Sequence, residues 1–329
     1  MPEAGWSTGT ARAAAGSRNF KLWIPTTPHS DRASPLLMVL HGCTHDAKDM
    51  AEISGMNHLA DRNGLLVVYP EQSRLANLLK CWNWFDPRHQ TREAGEPSVL
   101  AAVVDQVRAV HPVDLDRIFV VGVSAGGAMA SILAATYPDI FAALAIFAGA
   151  EFKAAASVSE GLAAMKRGGP DPLRQGQLAF EAMRPGIAKK TRRRMPVIVF
   201  HGTADARVDP VNADQVIAQW TKTNACLAAE YGDISFVVTQ QVIDGAIPGG
   251  HAFKKHVYLE AGARPLMEKW LVDGLGHAWS GSPEQSKYGD PNGPNASAEI
   301  WRFFCEATSP SCSPQGADSS LQKSSETTK

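Results

Sequence analysis

The chain has 329 residues, enough for one large α/β domain or two small ones, with 44% hydrophobic and 20% charged residues. A formal net charge of −1 argues against nucleic acid or an anionic membrane surface as the main partner. No apolar run is long enough to span a bilayer, and no protein partner is implied.

The N-terminal stretch, residues 1–17, lacks a basic segment followed by an apolar one, so it reads as a flexible arm rather than a secretory leader. Phe20 to Ile24 alternates apolar and polar side chains before Pro25, the pattern of an early edge strand. "LLMVL" (36–40) is a continuous apolar run, as in a strand buried on both faces, and it ends at "HGCTHDA". Ala51 to Arg62 predicts a helix and "GLLVVYP" another buried strand; Ser98 to Val110 is helical in spacing. "RIFVVGV" predicts a strand and Ala125 to Tyr137 a helix. "ALAIFAG" and "PVIVFHG" are further short strands, Val211 to Thr221 a helix, "MEKWLVDGLGH" the end of the last strand, and Ala296 to Phe304 a terminal helix. Strands alternating with helices predict a mostly parallel, doubly wound sheet covered on both faces.

Residues 150–195 interrupt this rhythm and include "KKTRRR". A solvated helix or loop is the simplest reading, and the position between two core strands also suits a small cap. The polar tail, 309–329, predicts disorder, leaving 18–308 as the folded unit.

Chemistry enters at "GVSAGG", where Gly122, Ser124 and Gly126 match G-x-S-x-G. A buried strand precedes the motif and a helix follows it, the context of a nucleophile elbow. The serine must sit on a strained turn to project its hydroxyl, and side chains two positions away would meet backbone, so both are glycine. A serine needs a base, and the base an orienting acid. Among ten histidines, His277 lies in a Gly-flanked loop beyond a late strand. His251 and His256 do not directly follow an apolar strand, and His41 and His201 read as loop-shaping. Asp205 lies just past the strand Val197 to Phe200 and is favoured as the acid. Asp209 before Pro210 reads as the entry to a helix, and Asp273 shares a strand with His277. Oxyanion donors are expected from the backbone N–H groups of Ala125 and Cys43. No metal or cofactor is called for.

Together "LHGCT", "CWNWF", "GEPS", "GVSAGGAMA", "YPDIFAALA", "HGTAD", "GLGHAWSG" and "WRFF" resemble the polyhydroxybutyrate-depolymerase-type esterases, a branch of the α/β-hydrolases that includes feruloyl and acetylxylan esterases. The resemblance runs from about Arg18 to Phe304. It implies a Ser124–Asp205–His277 esterase acting on hydroxyalkanoate oligomers or polyester, with feruloyl or acetylxylan ester hydrolysis as the alternative. It also implies a disulfide between Cys43 and Cys81, which would point to an oxidising compartment such as the cell exterior or periplasm. It would bring Trp82 and Trp84 near an acyl pocket, with Trp279 a third candidate for substrate contact; core packing is the competing reading for each. A serine peptidase, and an inactive hydrolase fold used for binding, are the rival classes.

Overall fold

The computed structural model describes residues 4–26, 33–187, 194–233, 236–260 and 264–308. The basic run of residues 189–194 lies mostly outside them, as does the whole tail read as disordered.

In chain order the strands are β1 (Gly5–Ala13), β2 (Gly16–Ile24), β3 (Ser34–Leu40), β4 (Leu66–Pro70), β5 (Val113–Val123), β6 (Ala143–Phe147), β7 (Val197–Gly202), β8 (Val238–Ala246), β9 (Ala252–Glu260), β10 (Pro265–Val272), β11 (Trp279–Ser280) and β12 (Gly289–Asp290). The helices are α1 (Ala47–Ser54), α2 (Met56–Asn63), α3 (Gly95–Val110), α4 (Ala125–Thr136), α5 (Val158–Arg167), α6 (Pro172–Ile187), α7 (Val211–Glu230) and α8 (Ala296–Thr308). Ten strands form one sheet in the order β1-β2-β4-β3-β5-β6-β7-β10-β9-β8. The six central strands, β4 to β10 in that order, are mutually parallel, and an antiparallel hairpin closes each end.

The central strands are apolar on both faces because both are covered. In β3, Leu36, Met38 and Leu40 enter one core cluster while Leu37 and Val39 enter the other. This is the alternation of a strand between two helix layers, and it explains the unbroken apolar run.

Three expectations are corrected here. Residues 5–13 are not part of a flexible arm: they form β1, which pairs along its length with β2. Phe20 to Ile24 is therefore not an edge strand. The signal was weak because β1 is largely solvent-facing on one side and has Gly9 where the Phe20 ring lies, so close that a Cβ there would meet Phe20 Cζ at 2.3 Å. The single helix expected over Ala51 to Arg62 is two helices, broken at Gly55. Its φ of 62° is left-handed, and a Cβ there would meet Pro283 at 2.9 Å. The segment 150–195 forms α5 and α6, which pack against α7 and, for α6, also α4. None of its described residues lines the cavity at Ser124 described below.

Candidate active site

Three loops at the C-terminal ends of β5, β7 and β10 converge. Ser124 joins β5 to α4 with φ 55° and ψ −121°, a conformation costing about 1–3 kcal/mol for a side-chain-bearing residue. Its N–H donates to the Phe147 carbonyl at 2.9 Å, which pins the turn. The flanking glycines are required sterically. A Cβ on Gly122 would fall 2.1 Å from the Gly126 carbonyl oxygen, and one on Gly126 would fall 2.3 Å from the Leu40 oxygen. Ala125 opens α4, so its N–H points out of the helix with the positive end of the helix dipole.

His277 follows β10, and its Nδ1 lies 2.7 Å from Asp205 Oδ2. The other carboxylate oxygen of Asp205 accepts from the N–H groups of Arg207 (2.8 Å) and Val208 (3.0 Å). His201 Nε2 lies 3.5 Å from Oδ2 and 2.9 Å from the Val208 carbonyl, so His201 braces the turn carrying the acid. Burial alone would raise the Asp205 carboxyl. The hydrogen bonds from His201 and His277 and the N–H of Val208 outweigh it and hold the group well below the usual carboxylate range. A carboxyl depressed in the folded state stabilises it above the unfolded value, about 3.9, and that contribution is lost as pH falls through the lower folded value. Wild type should accordingly keep its stability advantage over Asp205→Asn at neutral pH and lose it progressively as pH drops from about 4 to about 2. Thermal melts of both proteins across that range check this, and a constant gap would contradict it.

The competing residues are occupied elsewhere. Asp209 accepts from the Val211 N–H at the start of α7. Asp273 accepts from the Thr203 hydroxyl. His251 pairs with Asp290, and His256 with Gln240.

The loop after β3 is held from several sides. Cys43 and Cys81 form a disulfide. Trp82 donates its indole N–H to the His41 carbonyl (3.1 Å), and Gln72 donates its N–H to His41 Nε2 (3.0 Å). His41 Nδ1 lies 2.8 Å from the Gly42 carbonyl, which makes Nδ1 the protonated nitrogen. Burial pushes its pKa down to about 4, so the ring is neutral and can accept at Nε2. Glu96, from "GEPS", is buried and ties the network together. It pairs with Arg18 at 3.1 Å and accepts from the Asn83 N–H at 2.8 Å, the Asn83 amide and the Gln72 amide. Closing a loop of 38 residues, the disulfide is worth about 4 kcal/mol in the chain-entropy account. Reductant should lower the melting temperature of wild type by more than that of Cys43→Ser/Cys81→Ser; scanning calorimetry reads both, and equal shifts would contradict the assignment.

Ser124, His277 and Cys43 share one cavity of about 40 Å³ with Gly42, His45, Met50, Ile53, Val123, Arg207, Ala278, Trp279 and Tyr288. Trp279 belongs to its wall, stacked on Phe147 with centroids 4.9 Å apart. Trp82 and Trp84 do not. They are 0% and 6% exposed in the core, and a tryptophan whose indole N–H holds the His41 carbonyl shapes the loop rather than meeting a substrate. Nothing in residue spacing distinguished these roles. The same holds for His45, Arg207 and Tyr288, which reach the cavity from three separate loops.

A parallel sheet with a serine elbow after β5, an acid after β7 and a histidine after β10, in that chain order, defines an α/β-hydrolase. The family model described as Esterase PHB depolymerase matches residues 18–235. The chain belongs to that family. Poly(3-hydroxyalkanoate) depolymerase C of Paucimonas lemoignei is 35% identical over 245 residues, 74% of this chain and 55% of that protein. The chain thus spans about half the length of that relative. Feruloyl esterase B of Thermothelomyces thermophilus is 25% identical over 262 residues, covering 79% and 84% of the two chains. Among solved structures, the acetyl xylan esterase from Aspergillus awamori matches the fold with a TM-score of 0.66 at 18% identity, over 91% of this chain and 98% of that one.

Proposed function

We propose that this chain is a serine esterase that hydrolyses short-chain hydroxyalkanoate esters and oligomers through an acyl-enzyme, with residues 18–308 as its catalytic domain, preceded by the β1 strand. The observation that carries the reading is the strained elbow at Ser124 opening onto the same cavity as His277, whose Nδ1 is already committed to Asp205. That leaves Nε2 for the serine proton. Ser124 Oγ attacks the ester carbonyl as His277 takes its proton. Asp205 holds the imidazole and stabilises the imidazolium. The N–H groups of Cys43 and Ala125 receive the developing oxyanion. His277 returns the proton to the leaving alcohol, and water repeats the cycle on the acyl-enzyme.

The cavity wall contributed by Met50, Ile53, Val123 and Trp279 is apolar and suits the carbon chain of an acyl group. Hydroxybutyryl, acetyl and feruloyl groups are the candidates. The relative named as a poly(3-hydroxyalkanoate) depolymerase supports the first of these. The disulfide supports an oxidising compartment.

One substrate panel tests the proposal: hydroxybutyrate oligomers, acetylated xylan, ethyl ferulate, and p-nitrophenyl butyrate beside its matched amide. The expected order puts hydroxybutyrate oligomers first and the amide last. Faster turnover of ferulate or of the amide would overturn it.

A further inference from the structure

We infer that His45 is a specificity residue of the site at Ser124, placed to hydrogen-bond a hydroxyl carried on the acyl group of the ester. The inference rests on the esterase reading above and adds the recognition element that the triad does not provide.

His45 lies two residues beyond Cys43, just before α1. Its side chain is buried, yet among the described residues neither Nδ1 nor Nε2 has a hydrogen-bond partner. An unpartnered buried donor or acceptor costs free energy, so the position calls for a partner that enters from outside the chain. The ring is in the right place to receive one. It lines the cavity that holds Ser124 and His277. Its Nδ1 and the Ser124 Cβ flank the same small recess above Gly42: a Cβ built on Gly42 would lie 3.6 Å from the first and 3.5 Å from the second. Gly42 leaves that recess open.

The ring is held in a fixed orientation. Tyr288 meets it edge to face at 4.3 Å, and the Arg207 guanidinium lies 5.5 Å from the Tyr288 centroid on the same wall. Burial lowers the His45 pKa; the charge on Asp49 opposes this, while His277 lowers it further. The ring is therefore neutral near pH 7 and offers one donor and one acceptor. An alcohol carries both complements. A plain alkyl chain carries neither and leaves the ring unsatisfied, which is the condition under which a polar site discriminates. The remaining walls, Met50, Ile53, Val123 and Trp279, are apolar and suit the carbon chain. A short hydroxyacyl group fits both requirements: its carbonyl carbon at Ser124, its hydroxyl toward His45.

The test compares kcat/KM for racemic methyl 3-hydroxybutyrate and methyl butyrate in wild type, His45→Phe and His45→Gln. Wild type should favour the hydroxyacyl ester about tenfold. His45→Phe should bring the ratio near one, and His45→Gln, which keeps a donor and an acceptor, should retain most of it. A wild-type ratio near one, or the same ratio in all three proteins, would overturn the inference. Should His45→Phe fail to fold by circular dichroism, His45→Leu takes its place, with a ratio near one expected and an unchanged ratio overturning the inference. Turnover of butyrate with no preference removes the role of His45 and leaves the esterase reading standing. Turnover of neither ester removes both.

Discussion

Ser124→Ala should lower kcat by at least about three orders of magnitude while leaving the fold intact. The size follows from the role: without Oγ there is no acyl-enzyme, and only the oxyanion donors and substrate binding remain to assist a direct attack by water. The fold should survive because the serine side chain supports no neighbour that alanine would abandon. The strained φ of 55° belongs to the turn and persists. Assay of p-nitrophenyl butyrate, with circular dichroism on the same sample, separates lost chemistry from lost structure. Activity within tenfold of wild type would remove Ser124 from the mechanism.

Asp205→Asn is the second large effect, a fall in kcat of about 10³- to 10⁴-fold. Asp205 Oδ2 fixes Nδ1 of His277 as the protonated nitrogen and leaves Nε2 free to accept. An asparagine presenting its amide N–H to Nδ1 reverses that assignment, and the ring then offers a donor where a base is needed. The same substitution at Asp209 should change kcat only a few-fold, because that carboxylate caps α7. A larger loss at Asp209 than at Asp205 would exchange the two.

Much of this site was legible before any coordinates. The elbow could be read because its glycines answer to a steric rule that acts within five residues: Gly122 and Gly126 each sit where a Cβ would strike backbone. The buried strands could be read because a strand covered on both faces is a nearly unbroken apolar run, as Leu36 to Leu40 of β3 and all of β6 show. Asp205 and His277 were reachable because each lies in a loop just past a largely apolar strand, β7 and β10.

What escaped reading shares a physical cause. The outer strands β1 and β8 have little burial to enforce alternation; β8 is exposed along most of its length. The break at Gly55 depends on Pro283, more than two hundred residues away. The tryptophans of "CWNWF" are the clearest case. The resemblance implies them as candidates for stacking, and only the hydrogen bond from Trp82 to the His41 carbonyl identifies that ring as part of the scaffold behind the loop after β3. Glu96, in "GEPS", is buried at the junction of four chain segments, a role that depends on partners distant in the chain. His45 escaped for the same reason, since the cavity it lines is assembled from loops distant in the chain.

The central claim is that Ser124 is a nucleophile activated by His277, and a fluorophosphonate probe tests it most directly. Intact-mass and peptide mass spectrometry on the folded protein should find one adduct, on the peptide carrying Ser124, and should find it sharply reduced in His277→Ala. Absence of labelling in folded wild-type protein, or labelling at another residue, would contradict the account.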